Sequence, residues 1–386
     1  MPGIRLSLAI PYKQRLGNLR LVLEALAEQT LDSSEFEVVV GAMEYSPEYT
    51  ALCRDFQDRL NIVSVLTSRD FEIPRARNLA MRQALGEVIV QIDADTLLPP
   101  DALRNLYDRH FSFGQDICVV GQVVGYGNND RDVGEVRALP YAHYRDALAR
   151  AGDLATDPKD PRFRAEHVIP WAFAWTGLIA LRADTVRRHG LFFDETFRGW
   201  GVDDLEWGYR ISASGTPIVL RGDVYGLHLP HPRDMRANQR TESANYRRFL
   251  DKWPGPDVEL AHAVGDVEAN RIYLDFLREL RGAGGGAGRS LGVARGTADG
   301  TDVLVVGAVL DQEGRLVDPA LAELFDGHGP QVRPLVGLAL PYEDKSVAEC
   351  RVLPPVLGLS PRYRDAVRTE VDRVAKSVVL PAEQRR

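Results

Sequence analysis

Two carboxylates one residue apart, Asp93 and Asp95, close the apolar run Val88–Ile92 within the stretch GEVIVQIDADTLLPP (residues 86–100). The run reads as a buried strand that Pro99 and Pro100 keep from continuing. In an open α/β sheet the crevice beyond the carboxyl ends of the strands takes the ligand, so both acids stand at a mouth. Residues two apart on a strand share a face, and both carboxylates can reach one hard cation or its water shell. A divalent ion held by few protein ligands keeps positions open for phosphate oxygens. The plain alternative is an Asp-x-Asp turn in which each side chain caps its own backbone.

Three further stretches carry residues suited to the same chemistry. In FRGWGVDDLEWGYRI (residues 197–211), Gly199, Trp200 and Gly201 form a loop with one aromatic platform, and Asp203, Asp204 and Glu206 open the helix that follows. Acid at a helix start is ordinary capping. A tryptophan between two glycines has little of its own chain to cover its apolar surface, and a ligand would supply that cover. Downstream, His228-Leu229-Pro230-His231 leaves a strand with two imidazoles that could complete a site begun by Asp95. Upstream, IPRARN (residues 73–78) opens a helix at Pro74, where Arg75 and Arg77 could face a diphosphate beside free backbone N–H groups.

The elements that must position these residues alternate. Strands are predicted over 4–10, 36–40 and 62–66 and helices over 18–28, 51–60 and 74–85, a βα alternation that gives a parallel sheet. A helix over 101–110 and a strand over 117–124 follow, then a mixed region to residue 170 that would shape a substrate pocket. Residues 171–181 read as a strand in which Thr176-Gly177 lets a ligand approach the backbone, with Trp171 and Trp175 either stacking on a sugar ring or filling the core. Strands over 217–220 and 224–229 and helices over 235–253 and 267–280 complete the unit.

Composition excludes some classes. The 386-residue chain has a formal charge of -8 and no basic block, so general nucleic-acid binding is not expected. Its three cysteines lack metal spacing and read as free thiols of a reducing compartment, which makes the cytoplasm the expected location, with peripheral membrane contact left open. No run approaches the roughly 18 apolar residues of a membrane span, and no signal-peptide pattern is expected. Residues 282–300, GAGGGAGRSLGVARGTADG, have the composition of a flexible linker. The division expected is therefore a catalytic domain over 1–281, a Gly-rich linker over 282–300 and a small α/β or α+β module over 301–386, serving acceptor docking or self-association.

Taken together, IPYKQR after the first strand, ARN ahead of the DAD unit, GWGVDDLEWGYR, and HLPHP followed by RDM and a KW pair resemble the family-2 and galactosyltransferase-like inverting glycosyltransferases of the GT-A fold. The resemblance covers roughly residues 4–255. It implies a Rossmann-like, mostly parallel nucleotide-sugar domain that moves a sugar, as a hexosyltransferase would, from a UDP-linked donor to a glycan or other hydroxyl. Asp93 would contact the ribose or the metal's water, and Asp95, His231 and His228 would hold Mn²⁺ or Mg²⁺. Pro11, Tyr12, Arg15, Arg77, Asn78 and Ala94 would line the donor side. Gly177, Trp200 and Gly201 would line the acceptor side, Asp203 would orient a sugar hydroxyl and Asp204 would be the base. Relatives place an Asp-Asp pair after the second strand, whereas this chain reads Gly41-Ala42-Met43-Glu44, which leaves Glu44 as the substitute.

The chemistry fits these residue types directly: a departing diphosphate needs a cation, and a carboxylate within reach of the acceptor hydroxyl gives single displacement with inversion. Two rivals share features. A haloacid-dehalogenase-type phosphatase would use Asp93-Ala94-Asp95-Thr96 as its nucleophile motif with Lys159 as its lysine, and a silent nucleotide-sugar binding module would have lost its base or a metal ligand.

Overall fold

The computed structural model describes residues 3–67, 72–125, 139–151, 157–232, 234–327 and 329–381. The chain divides into two compact units, residues 1–165 with 170–242 and residues 166–169 with 243–386.

The first unit opens with the predicted alternation: β1 (Leu6–Tyr12), α1 (Leu16–Ala27), β2 (Phe36–Ala42), α2 (Pro47–Phe56), β3 (Ile62–Leu66), α3 (Ile73–Gln83) and β4 (Val88–Ile92). Every residue of β2 and of β4 is buried, which is why both read as unbroken apolar runs rather than alternating ones. There follow β5 (Thr96–Leu97), α4 (Ala102–His110), β6 (Cys118–Val124), α5 (Tyr141–Arg150), β7 (Leu178–Arg182), α6 (Ala183–His189), α7 (Asp203–Ala213) and β8 (Ile218–His228). The eight strands form one sheet in the order β3-β2-β1-β4-β7-β6-β8-β5. From β3 to β4 the pairing is parallel, and β6 runs parallel to β8. The strand β7 is antiparallel to both of its neighbours, and β5 to β8. The winding reverses between β1 and β4, so the crevice at this switch point lies at the carboxyl ends of the two strands that precede Tyr12 and Asp93.

Several boundaries differ from expectation. The second helix starts at Pro47 because Ser46 accepts the Tyr49 N–H at 3.0 Å and caps it there. Residues 171–181 are not one strand: Pro170–Phe173 is a 3₁₀ turn and β7 begins at Leu178. Trp171 is 3% exposed and meets Tyr209 edge-on at 5.6 Å, while the Arg162 guanidinium lies 4.4 Å over the Trp175 ring, so both indoles are engaged in packing. The two strands expected over 217–229 are the single β8, whose register against β6 shifts between Gly121 and Gln122. The Gly- and Asn-rich stretch at 125–130 lies, beyond Gly125, outside the described residues.

In the second unit the compact division differs from the 1–281, 282–300 and 301–386 expected from the sequence. The boundary falls inside α8 (Met235–Lys252), so α9 (Pro256–Val264) and α10 (Asp266–Ala283) belong with the C-terminal strands rather than with residues 1–242. Half of the supposed linker is β9 (Ser290–Ala298), which pairs antiparallel with β10 (Thr301–Leu310) through Asp299 and Gly300, at φ 49° and 72°. Asp-Gly between alternating residues is a hairpin signal that the glycine content of the preceding residues obscures. The rest is α11 (Pro319–Glu323), β11 (Gln331–Arg333), β12 (Val347–Val352), α12 (Pro361–Val374) and β13 (Ala375–Val379), in a sheet of order β11-β9-β10-β12-β13. The strand β11 stops at Arg333 because the next backbone segment is bound otherwise. Glu259, fully buried on α9, accepts N–H bonds from Val336, Gly337, Leu338 and Ala339 at 2.6, 2.6, 2.7 and 3.3 Å. Among the described residues no helix is long and apolar enough to cross a membrane.

Candidate active site

Strand pairing assembles the first cluster. Thr96 pairs with His228 in the β5–β8 ladder, and the Leu229 N–H donates to the Asp95 carbonyl at 2.7 Å, so the exit of β8 is tied to the exit of β4. Asp95 is fully buried, with Oδ1 3.6 Å from His228 Nε2 and Oδ2 3.5 Å from His231 Nε2. The three ligand atoms lie within 4.8 Å of one another. Arg15 Nη1 donates to Asp95 Oδ2, while Oδ1 accepts no hydrogen bond. A fully buried carboxylate oxygen without a partner calls for one, and a divalent ion is the partner that two converging imidazoles also suit. Burial by itself would raise the Asp95 carboxyl, but His228, Arg15 and His231 outweigh it and hold the group below the usual carboxylate range.

The second cluster centres on Arg77 of α3, which is 5% exposed. Its Nη1 donates to Asp203 Oδ2 at 2.5 Å, and its Nη2 to Asp93 Oδ1 at 3.2 Å and Thr176 Oγ1 at 2.5 Å. The guanidinium stands 5.0 Å over the Phe193 ring. One cation therefore joins the end of β4, the segment before β7 and the start of α7. Asp204 sits beside it, accepting the Thr176 N–H at 3.1 Å on Oδ2 and the Leu205 N–H at 2.9 Å on Oδ1, and remains partly exposed. With one guanidinium serving several acids, burial pushes Asp203 up to about 6 against the pull of Arg77, and burial raises Asp204 as well. Glu206, the third acid, is buried with both oxygens on Arg210 Nε at 2.9 and 3.0 Å, which removes it as a free base. Asp203 is 4% exposed and held by Arg77.

The loop ahead of α7 needs its glycines. Gly199 and Gly201 have φ of 72° and 94°, and Val202 takes a left-handed conformation at 73°. A Cβ on Gly199 would lie 2.6 Å from Thr241 Cγ2. Thr241 Oγ1 accepts the Trp200 N–H at 3.1 Å and donates to the Trp200 carbonyl at 3.0 Å, leaving the indole side chain's residue 41% exposed. Gly177, at φ 139°, forms an isolated bridge with Ile92, which sets this glycine beside the Asp93–Asp95 turn.

In the β1–β2 ladder Pro11 pairs opposite Gly41 and Tyr12 opposite Ala42. Tyr12 is 1% exposed and stacks on Tyr49 at 4.7 Å, so it floors the crevice. A Cβ at Gly41 would fall 2.0 Å from the Ala76 carbonyl oxygen, and Ala42 and Met43 are buried. Glu44 is thus the first position after β2 from which a side chain can reach outward; it accepts the Gln14 N–H at 2.7 Å. Ala94 is buried between the two acids. Asn78 binds the Phe193 carbonyl and N–H at 2.9 and 2.8 Å and Glu195 at 2.9 Å, which makes it a clamp on that loop. Arg75 pairs with Glu195 at 3.2 Å. Sequence reasoning missed the Thr176 hydroxyl, Phe193 and the pair Thr241 and Glu242. The last lies beside Gly201, with its carboxyl raised by burial and by Asp204, and TESAN carries no motif that could have announced it.

A doubly wound mixed sheet with a carboxylate-histidine cluster at its switch point and a second acidic helix start joined to it by one arginine defines a GT-A glycosyltransferase domain. The model of the glycosyl transferase family 2 matches residues 7–167. The chain is 30% identical over 303 residues to a validoxylamine A glucosyltransferase of Streptomyces hygroscopicus subsp. jinggangensis (strain 5008), covering 73% of this chain and 72% of that protein. It is 24% identical over 305 residues to the uncharacterized glycosyltransferase YfnE of Bacillus subtilis (strain 168), covering 69% and 76%. Among solved structures it is similar to S. aureus TarS 1-349, with a TM-score of 0.47 and 14% identity over 72% of this chain and 74% of that one. The chain belongs to glycosyl transferase family 2, and it is a glycosyltransferase.

Proposed function

We propose that the protein transfers a hexose from a nucleoside-diphosphate sugar, UDP-linked, to a hydroxyl of a small or glycan acceptor by metal-assisted single displacement with inversion. The observation that carries this reading is the Arg77 hub, which holds the Asp93–Asp95 turn and the Asp203–Asp204 helix start in one crevice. Asp95, His231 and His228 would hold Mn²⁺, which supplies charge stabilisation to the departing diphosphate. Asp93 and Glu44 face the nucleoside side, and Arg15 is the cation nearest the diphosphate. Asp204 takes the proton of the acceptor hydroxyl, with Thr176 N–H fixing one carboxylate oxygen. Arg77 and Asp203 set the position of that base, and Trp200 covers the acceptor. The glucosyl transfer named for the relative at 30% identity supports a hexose as the group moved. The phosphatase alternative would rely on Lys159, which is exposed and paired with Asp157.

The test is incubation of the full chain with a panel of nucleotide sugars and Mn²⁺, read as free nucleoside diphosphate against inorganic phosphate. Nucleoside diphosphate released with acceptor and suppressed by chelator is the expected result. Inorganic phosphate alone would return the phosphatase reading, and donor binding without turnover would return the silent module.

A further inference from the structure

Arg15 links the two charged partners that the proposed reaction brings together, and the inference drawn from it rests on that reading. Its backbone is fixed: Gln14 stands at φ 59° with its N–H on Glu44 Oε1 at 2.7 Å, and Arg15 itself occupies the N-cap position of α1. Its side chain is 42% exposed yet donates through Nη1 to the fully buried Asp95, on Oδ2, the oxygen that also faces His231. A divalent ion takes a carboxylate oxygen and imidazole nitrogens at roughly 2.0–2.2 Å. An ion shared by Asp95, His228 and His231 would thus sit a few ångströms from the guanidinium and draw on the same carboxylate. Like charges at that spacing repel, and removing water strengthens the repulsion. The guanidinium is also the side chain whose planar fork best matches phosphate oxygens.

We propose that Arg15 is a resident counter-cation: it competes with the divalent ion for Asp95 Oδ2, and it yields that oxygen by pairing with the donor's diphosphate, so that metal and nucleotide bind together. The coupling is reciprocal, each ligand raising the affinity for the other. No bond is made or broken in this exchange; two ion pairs change partners.

The experiment is titration calorimetry on the full chain with Mn²⁺ alone, uridine diphosphate alone, and each in the presence of the other. Arg15→Gln keeps a hydrogen-bond donor and removes the charge. It should bind Mn²⁺ alone at least about tenfold more tightly than wild type and uridine diphosphate alone about tenfold more weakly. A merely structural role would weaken both, so opposite signs are the mark of the exchange. Arg15→Lys keeps the charge and should keep the weak binding of Mn²⁺ alone, which guards against a glutamine variant that folds poorly. Unchanged or weakened Mn²⁺ affinity in a folded Arg15→Gln overturns the inference. Absence of Mn²⁺ binding in wild type, with or without uridine diphosphate, would instead sink the metal reading beneath it.

Discussion

At the scale of single residues, the decisive contrast is between acids of one helix start that local spacing cannot tell apart. Asp203 is consumed by Arg77 and Glu206 by Arg210, whereas Asp204 keeps a partly exposed carboxylate whose proton affinity burial has raised. Loss of a general base costs about 10² to 10⁴ in rate. Asp204→Asn should therefore lower transfer by at least about two orders of magnitude while calorimetry shows donor and metal binding retained. Near-wild-type transfer would move the assignment to Asp203. A second expectation concerns pH. A base works only deprotonated, and a carboxyl raised above its ordinary value of about 4 is protonated already at mildly acid pH. The acid limb of kcat/KM should hence lie above the ordinary carboxylate range, because burial raises the Asp204 carboxyl. In Asp204→Asn the residual rate should lose that limb, which separates it from protonation of the histidines. A limb near pH 4 in wild type would refute the raised base.

At the scale of elements, the site is built from segment ends rather than from segment interiors. The exits of β4 and β8 bring Asp95 and the two histidines together, and the loop before α7 is pressed onto α8 through Thr241. That loop depends on Gly199 twice over, through its φ of 72° and through the 2.6 Å a Cβ would leave to Thr241 Cγ2. Gly215 offers the control, having φ 84° with open space around its Cβ position. Gly215→Ala should cost only the backbone strain, about 1–2 kcal/mol, and Gly199→Ala should cost more, with acceptor KM rising as the Trp200 platform shifts. Thermal unfolding of the two variants checks this, and equal losses would show that the Thr241 contact yields freely.

At the scale of the whole molecule, the division at residue 242 changes what a shortened chain would contain. A chain ending at Arg281 keeps α9 and α10 but removes the sheet of their own unit. Phe276 and Glu259 would lose partners there, namely Tyr363 at 4.9 Å and the N–H groups of residues 336–339. Such a chain should aggregate or unfold at a lower temperature than the full chain, as measured by light scattering and calorimetry. A soluble chain with unchanged unfolding would restore the boundary at 281.

What the sequence by itself determined is local and periodic. The apolar runs specify β1 to β4, and the acids and histidines stand at strand exits and a helix start because those are the positions their neighbours leave polar. Spacing along the chain was enough to nominate Asp95, His228 and His231, and the family resemblance singled out Asp204 among the acids of its helix start. Partner choice was not legible, because it is settled between segments far apart: Arg77 meets Asp203 across 126 positions and Asp95 meets Arg15 across 80. The same reason hid the pairing of β9 with β10 behind a glycine-rich run and the capture of residues 336–339 by Glu259. Burial decides which of several equal acids stays free, and burial is a property that only the packed chain possesses.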